Sequence, residues 1–578
     1  MQVCSIIAHE LAHSWYGNLV SLNWWSELWL NEGFAEFMMY KATAAVEPTW
    51  SYNDHFIIKE LNRVFDIDTS LSTHPILTPV RDENDMQSIF DPVTYAKGAS
   101  IIRMLENTIG EDNFRKAVSN YMKKYSYSNT VSTQLWAEFS DVVVASKLDV
   151  GAMMDTWISK EGIPVVTVST NSDGTVSFKQ ERFLKDFDRS NSSYTWYIPL
   201  TYRVFDPKNA DLDNPIGRIA FDRLTANATI AEYSADNVIK FNVDQTGVYI
   251  LNYPTKNWNQ FIDLLSDNSS LARQKLSVLD RNNLLSDAFY LSRSGRLSYD
   301  ITLKLASAIL NNEDSFIVWV TASDMLRFLR TFAITEDQGI AFNQWLLNNG
   351  VSRLYDQLGW EPAADENLNQ RQLRALILDL ACYADHEHCL QTANQKFAEF
   401  QTQVNGRVKR SAAYTPDPDL LNVFLFHTMR TVKSESDSKY SFLTAQYENA
   451  QSTNEKMRYL RALAAVSEPN LLAKLVNQSL DTEFLRPQDY FTFLAYIASN
   501  PVGLDIAWKS YRDNFETIQT RFGLDDSNLG RAVYRFASYF TSSARQTEVQ
   551  QFFSKYPKGI SSNLFGIFKK FLFFSWCK

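Results

Sequence analysis

The sequence predicts a multidomain, mostly α-helical protein in which a small β-sandwich separates two helical regions. The chain has 578 residues, enough for three or four domains at about 150 residues each. It has only 19 glycines and 16 prolines, about half their usual combined share of roughly 12%, and this scarcity favours helices over turn-rich β architecture. The hydrophobic spacing changes twice, from helical to alternating and back, and these changes set the predicted domain boundaries.

Residues 1–160 form the first region, in which apolar and aromatic residues recur at helical spacing. Residues 161–253 then alternate between apolar and polar positions, and several short strands within one such stretch indicate a small β-sandwich. The predicted strands are 165–168 and 175–180, which flank a turn at 171–174 and form a hairpin, followed by 194–202, 238–243 and 247–251.

From residue 254 to residue 578 the helical period returns and persists. Ser452 and Glu455 form a capping box at the start of one predicted helix, and 467–470 ends it before the next apolar stripe begins. Such helix–turn–helix units recur without a strict period. We therefore predict an irregular α-solenoid, in which paired helices bury their stripes against neighbouring pairs. A single large bundle is the alternative.

The charge pattern excludes one class of partner. Lysine and arginine number 56 against 66 acidic residues, a net charge of −10, and no basic run occurs, so nucleic acid is not expected as a partner. No stretch approaches the ~18 apolar residues that span a bilayer. The closing apolar segment, 571–576, is far too short.

Four cysteines are few for this length, so the fold does not depend on disulfides. The spacing of Cys382 and Cys389 is compatible with two unrelated thiols, with a local disulfide in an oxidising compartment, or with a metal site that includes His386 and His388. The metal site is disfavoured, because zinc-ligand spacings are usually tighter and come in two halves. Candidate N-glycosylation sequons, which fit secretory exposure, begin at Asn191, Asn227, Asn268 and Asn477.

The strongest chemical signal is His9-Glu10-Leu-Ala-His13. Two histidines at positions i and i+4 of one helix face can bind a common metal ion, and the adjacent carboxylate lies close enough to activate a water molecule. A surface helix with incidental histidines is the alternative interpretation. The other histidines are interpreted as ordinary surface or core residues: His55, His74, His386, His388 and His427.

A second segment supplies a third ligand. A catalytic zinc uses three protein ligands and leaves a fourth position open, and Glu32, in Asn-Glu-Gly-Phe-Ala, completes a site of two histidines and one glutamate. Glu36, one helical turn later, is interpreted as a carboxylate behind the ligands or on the surface. The tryptophans that crowd this connection are interpreted as core packing rather than substrate contacts: Trp15, Trp24, Trp25 and Trp29.

These motifs resemble the aminopeptidase N-like zinc metallopeptidases, a gluzincin family. The resemblance lies in the motif His9–His13, in the spacing of eighteen residues between His13 and Glu32, and in the flanking segments 15–20 and 28–36. Tyr95-Ala-Lys-Gly-Ala-Ser also matches the segment in which that family places the tyrosine that stabilises the oxyanion. Further matches, which resemble the end of the family's sandwich and its helical domain, are 247–253, 280–287 and 486–489.

The resemblance implies a thermolysin-like catalytic domain in residues 1–160, without its N-terminal sheet, and a HEAT/ARM-like form for the C-terminal α-solenoid. It also implies one Zn²⁺ per chain, held by the ligands His9, His13 and Glu32. In this family the carboxylate at the position of Glu10 acts as general base. The tyrosine at the position of Tyr95 stabilises the oxyanion.

The resemblance further implies an aminopeptidase that removes N-terminal residues from peptides with a free N-terminus. The Cys382–Cys389 pair resembles a disulfide of the extracellular members. A homodimer through the C-terminal domain and attachment to a membrane only through a segment outside this chain are also expected. The expected location is the cell surface or the extracellular medium, with the endoplasmic reticulum lumen or the cytoplasm as alternatives.

The sequence departs from the family pattern before the zinc motif. The family carries a Gly-x-Met-Glu-Asn motif, whose glutamate binds the substrate amine, and this sequence lacks it. Only eight residues precede His9, so the sheet that covers the zinc helix in the family is absent from this sequence too, and we expect that helix to expose an apolar face. Either the chain is a fragment of a longer enzyme, which is favoured because its catalytic residues are intact, or it is a short product that lost exopeptidase activity. A silent peptide- or protein-binding solenoid and a zinc endopeptidase are the alternative functions.

Overall fold

The computed structural model describes residues 1–556 except 147, 172–173, 186–191, 207–214, 235, 268–273, 334, 407–415, 524–525 and 541. The sequons at Asn191 and Asn268 and the closing apolar segment therefore lie outside the described residues. The chain divides into two compact units. One comprises residues 1–325 with 367–369, and the other comprises residues 326–366 with 370–578.

The first 160 residues are helical, as predicted, and two short parallel strands pair within them. Two π-helical turns, 57–61 and 93–97, also occur in this region. The helices are α1 Gln2–Ala12, α2 Trp29–Val46, α3 Asn62–Ile67, α4 Glu83–Ser88, α5 Gly98–Ile109, α6 Glu111–Lys124, α7 Ser132–Val142 and α8 Val150–Ile158, and the strands are β1 Val20–Leu22 and β2 Ser128–Thr130.

A close approach between two glycines brings α2 against the start of α5. A Cβ atom on Gly33 would lie 3.1 Å from the Cα of Gly98, so larger residues at either position would push the two helices apart. Gly33 follows Glu32, and Gly98 follows the π-helical turn that carries Tyr95. The two glycines therefore set how closely these two segments can approach.

The strands described between residues 164 and 252 form two small sheets. The predicted hairpin is confirmed, because β3 and β4 pair antiparallel with Val166 opposite Gln180. The sheets have strand orders β7-β4-β3-β9 and β6-β5-β8, and the ring of Phe178 in the first contacts Phe221 and Phe241 in the second. The strands are β3 Pro164–Thr170, β4 Thr175–Arg182, β5 Ile198–Phe205, β6 Gly217–Phe221, β7 Thr225–Thr229, β8 Val238–Phe241 and β9 Ile250–Asn252.

Strands β6 and β7 were not predicted from the sequence. Every second residue of β7 is exposed and the others are only half-buried, so this strand, at the edge of its sheet, lacks the apolar alternation that predicts strands. The start of β5 was also predicted four residues too early, because Tyr194–Tyr197 is as aromatic as the strand that follows it but makes no ladder.

The regular secondary structure described after residue 254 is helical, and the mostly α-helical fold is confirmed. The solenoid form remains a prediction. These helices are α9 Thr255–Ser266, α10 Val278–Arg293, α11 Tyr299–Leu310, α12 Phe316–Arg330, α13 Glu336–Leu346, α14 Ser352–Leu358, α15 Leu368–Tyr383, α16 Glu387–Asn405, α17 Leu421–Met429, α18 Ser438–Asn449, α19 Thr453–Leu463, α20 Pro469–Gln478, α21 Tyr490–Ser499, α22 Gly503–Asp513, α23 Phe515–Phe522, α24 Ser527–Ala537 and α25 Ser543–Lys555.

Helix α1 is buried on one side only. Its small residues Ser5 and Ala12 are buried, and α1 packs on α2. On the opposite side, as expected, apolar side chains face solvent: Val3, Ile6, Ile7 and Leu11 are 50–72% exposed. Among the described residues, no helix has both the length and the apolar character needed to cross a bilayer.

Candidate active site

Two helices bring the predicted metal ligands together. His9 lies in the last turn of α1 and His13 is its C-cap, so the two imidazoles project one turn apart from the same face. Glu32 lies in the first turn of α2, which packs against α1. Within the described part of the chain, these three residues are the group of metal-binding side chains whose ligand atoms converge, all within 4.8 Å of one another.

The spacing of these atoms fits a zinc ion. Nε2 of His9 lies 3.1 Å from Nε2 of His13, and these nitrogens lie 3.5 and 3.4 Å from Oε2 of Glu32. A tetrahedral zinc with bonds of ~2.0–2.2 Å places its ligand atoms roughly 3.3–3.6 Å apart. Two imidazoles and one carboxylate are also the ligand types of catalytic zinc sites. The residues present therefore fit the metal that the sequence implies.

The second nitrogen of each imidazole faces an oxygen atom. Nδ1 of His13 lies 3.0 Å from the carbonyl oxygen of Tyr16 and donates to it, which leaves Nε2 for the metal. Nδ1 of His9 lies 3.0 Å from Oε2 of Glu36, although the two atoms are not aligned for an ideal hydrogen bond. Glu36 thus stands behind a ligand, as the sequence indicated.

The three ligands also stabilise one another's charges. Burial alone would lower the pKa of His9, but Glu32 and Glu36 outweigh burial and raise it to about 9. The hydrogen bond to Glu32 likewise raises the pKa of His13. Burial alone would raise the pKa of Glu32, but hydrogen bonds from His13 and His9 lower it to about 2. A metal that binds here displaces protons from the two imidazoles, because only the neutral ring is a ligand.

A buried polar network lies beside Glu36. Glu60, 2% exposed, lies next to Glu36, and it accepts from the Tyr40 hydroxyl at 2.7 Å and from Arg63 at 3.1 Å. Burial and the neighbouring Glu36 raise the pKa of Glu60 to about 8. Burial and the neighbouring negative charge therefore favour the protonated form of Glu60, which can donate a hydrogen bond to Glu36.

We expect Glu36→Gln to weaken zinc binding 10- to 100-fold, which is the usual cost of losing a partner behind a ligand. The glutamine amide lacks the negative charge that the Glu36 carboxylate places 3.0 Å from Nδ1 of His9. Competition with a fluorescent zinc chelator measures the affinity, and Glu47→Gln, just beyond the C-terminal end of α2, is the matched control. Equal zinc affinity in Glu36→Gln and the wild type would show that Glu36 does not support the site.

The other two predicted catalytic residues lie beside the ligands. Glu10 follows His9 on α1, and its side chain is exposed. The ring of Tyr95 stacks on that of His9, with centroids 6.2 Å apart, and the Tyr95 side chain lies close to the Glu32 carboxylate. Burial, followed by the charge of Glu32, raises the pKa of Tyr95, so this phenol stays protonated and can donate a hydrogen bond.

The interpretation of the tryptophans was partly wrong. Trp29 is fully buried, and its indole N–H donates to Ser132 at 3.1 Å. Trp15 and Trp24 are instead 54% and 53% exposed, and Trp25 is half-buried. The indole N–H of Trp24 donates to the carbonyl of Val80 at 3.0 Å, so its polar edge is bound while its face meets solvent. Trp15 and Trp24 lie in the irregular connection after α1, where no helix periodicity indicates which side is inside.

The second compact unit contains the cysteine pair. Cys382 and Cys389 form a disulfide. His386 caps α16 by accepting from the N–H of Cys389 at 3.3 Å, and His388 lies 2.7 Å from the Tyr355 hydroxyl.

The two sequons that the structure describes differ in the exposure of their residues. Asn227 is exposed on the edge strand β7, whereas Asn477 is exposed on α20 but Ser479, the hydroxyl residue of its sequon, is fully buried.

The sequence interpretation missed three residues near the site. Glu60 lies in the π-helical turn 57–61, and no motif marked it. His74, interpreted as an ordinary histidine, lies 3.0 Å from Asp91, which caps the turn that carries Tyr95. Asp91-Pro92 was the available signal for that turn, because an aspartate followed by proline is typical of a helix start.

The fold and the site together define a class of protein. Two histidines one helical turn apart, a glutamate from a second helix, and an exposed carboxylate beside the first histidine are the arrangement of a zinc peptidase. Comparison with known families agrees with this. Residues 1–157 match the model for the peptidase family M1 domain, and residues 238–564 match that for the ERAP1-like C-terminal domain. The chain belongs to the M1 family of gluzincin aminopeptidases.

Curated relatives match along nearly the whole chain. Glutamyl aminopeptidase of Bos taurus is 31% identical over 564 residues, and that of Homo sapiens is 30% identical over 569 residues. Endoplasmic reticulum aminopeptidase 1 of Mus musculus is 30% identical over 580 residues. Each alignment covers 96% of this chain but only 56%, 56% and 59% of the respective relative. The chain thus spans little more than half the length of the relatives it matches.

Proposed function

We propose that this chain carries the hydrolytic centre of a zinc aminopeptidase, which removes N-terminal residues from peptides with a free N-terminus. The observation that supports this most is the convergence of His9, His13 and Glu32 within 4.8 Å, with Glu10 beside them on α1. Zinc, when bound, lowers the pKa of a water molecule and polarises the scissile carbonyl. The family and the relatives' names support the reaction, and the residues of this chain supply its steps.

Each step of the reaction uses a group already described. The Glu10 carboxylate accepts a proton as the water oxygen attacks the carbonyl carbon. Its exposure leaves room for substrate and water on that side of α1. The Tyr95 hydroxyl donates a hydrogen bond to the oxyanion, because its raised pKa keeps it protonated. The carbon–nitrogen bond then breaks, and Glu10 returns its proton to the departing amine.

We expect Tyr95→Phe to lower kcat roughly 100-fold with little change in KM, because its hydrogen bond to the substrate strengthens only as charge develops. Steady-state kinetics on an aminoacyl fluorogenic substrate measure both constants. Tyr127→Phe, which removes a hydroxyl from a tyrosine that is 91% exposed, is the control. A kcat equal to that of the wild type would remove Tyr95 from the mechanism.

We also propose that the protein works in an oxidising secretory compartment or at the cell surface. The Cys382–Cys389 disulfide supports this, because such bonds persist mainly in secreted and lumenal proteins. Exposed Asn227 is compatible with glycosylation there.

Metal removal and reconstitution test the proposed function. Purified chain treated with a chelator and dialysed should lose hydrolysis of a peptide with a free N-terminus, and one equivalent of zinc should restore it. Restoration that needs several equivalents, or hydrolysis that survives removal of all zinc, would contradict a single zinc centre made by His9, His13 and Glu32.

A further inference from the structure

The π-helical turn that carries Tyr95 is held by a carboxylate at its start. Asp91 directs Oδ1 at the first two N–H groups of the turn, 2.9 Å from N of Val93 and 3.2 Å from N of Thr94. Its backbone carbonyl also accepts from the N–H of Tyr95 at 3.1 Å. A π-helical turn is rare and is found frequently at functional sites. Asp91 therefore fixes the backbone from which the Tyr95 ring projects.

A histidine fixes Asp91 in turn. Nε2 of His74 lies 3.0 Å from Oδ2 of Asp91, the oxygen that does not cap the turn. Nδ1 of His74 lies 2.7 Å from the carbonyl oxygen of Pro75 and 2.9 Å from the Thr78 hydroxyl, which itself donates to Pro75. Both ring nitrogens thus face oxygen acceptors, an arrangement that suits the imidazolium. Burial alone would lower the pKa of His74, but Asp91 raises it.

The other end of the turn is held by a buried ion pair. Lys97 and Asp68 are both fully buried, and their charged atoms are 2.7 Å apart. Asp68 also accepts from Thr73 at 2.5 Å, and Thr73 precedes His74. Residues 73–74 therefore contact Asp91 at the start of the turn and Asp68, which pairs with Lys97 at its end. These contacts leave the Tyr95 backbone little freedom to shift.

We propose that His74 and Asp91 are positioning residues that aim the Tyr95 hydroxyl at the reacting carbonyl. The inference rests on the proposed function, in which that hydroxyl stabilises the oxyanion. A donor contributes only when it lies within hydrogen-bonding distance of the position that the oxyanion will occupy. A displacement of about 1 Å is enough to cost roughly 100-fold in rate. His74 and Asp91 lie behind the turn and are assigned no contact with substrate.

A double-mutant cycle tests this role. Asp91→Ala and His74→Ala should each lower kcat about 10- to 100-fold while KM and zinc affinity stay within about twofold. In the Tyr95→Phe background the same changes should cost less than about threefold, because the hydroxyl that they position is gone. Asp82→Asn, which alters the N-cap of α4, is the matched control. An equal loss in both backgrounds would overturn the proposal, since it would show a general structural defect.

A second measurement does not depend on activity. Hydrogen exchange followed by mass spectrometry should show that the peptide 92–98 exchanges about five- to tenfold faster in Asp91→Asn and His74→Asn, which are milder changes less prone to unfold the chain. Unchanged exchange would overturn the anchoring role even in an inactive chain. A wild type that binds zinc and cleaves no peptide would instead refute the proposed function, while faster exchange would still support the anchor.

Discussion

Glu32→Ala should cost the chain its zinc and, with it, all measurable hydrolysis of peptides. The substitution leaves two imidazoles where a catalytic zinc needs three protein ligands. The loss should therefore exceed the 10- to 100-fold that is typical when only a partner behind a ligand is removed. Glu32 is also the carboxylate to which both imidazoles are paired, at 3.5 and 3.4 Å, whereas Glu36 is paired with His9.

Elemental analysis after dialysis, together with chelator competition, measures the loss of zinc. Glu47→Ala, beyond the C-terminal end of the same helix, should bind zinc as the wild type does. If Glu32→Ala held one zinc with wild-type affinity, the metal centre would lie elsewhere and the assignment of His9 and His13 would fail with it. Far-ultraviolet circular dichroism must show native helicity for the comparison to count.

Glu10→Gln should separate catalysis from metal binding. We expect kcat to fall by roughly 10²–10⁴, because the amide cannot accept the proton of the attacking water, while zinc affinity stays within about twofold. The side chain of Glu10 is exposed and is not one of the three converging ligands. Gln keeps the shape of Glu, so no packing change accompanies the loss of charge.

Single-turnover kinetics on zinc-loaded protein measure this effect without interference from product release. The two variants should differ in the property that they lose. Glu10→Gln should keep zinc and lose turnover, whereas Glu36→Gln should bind zinc more weakly than the wild type. A Glu10→Gln chain that lost zinc would show that Glu10 is structural. One that kept full turnover would show that another group accepts the proton.

The metal centre could be predicted from the sequence because two of its ligands lie close together in the chain. His9 and His13 lie one turn apart, and any helix that includes both presents them on one face. Glu32 depended on the resemblance as well as on the spacing, since nothing in the sequence alone fixes how α2 packs on α1. The Gly33–Gly98 approach that sets where α2 lies against the Tyr95 turn became visible only in the structure.

The supporting residues could not be predicted, because their partners are distant in sequence and lack a repeating pattern. Glu60 meets Tyr40 across twenty residues, and His74 meets Asp91 across seventeen. A lone histidine in a loop gives no sign of such a partner. The exposed Trp15 and Trp24 were misplaced for a related reason, since burial in an irregular connection depends on neighbours that periodicity does not report.

The measurement that tests the central claim most directly compares one peptide in two forms, with a free and with an acetylated N-terminus, incubated with the zinc-loaded chain. Mass spectrometry of the products should show stepwise loss of N-terminal residues from the free peptide, no cleavage of the acetylated one, and neither reaction in Glu10→Gln. Internal cleavage of both forms would identify an endopeptidase. Tight binding of the free peptide without cleavage, by a chain that holds its zinc, would contradict the catalytic role assigned to His9, Glu10, His13, Glu32 and Tyr95.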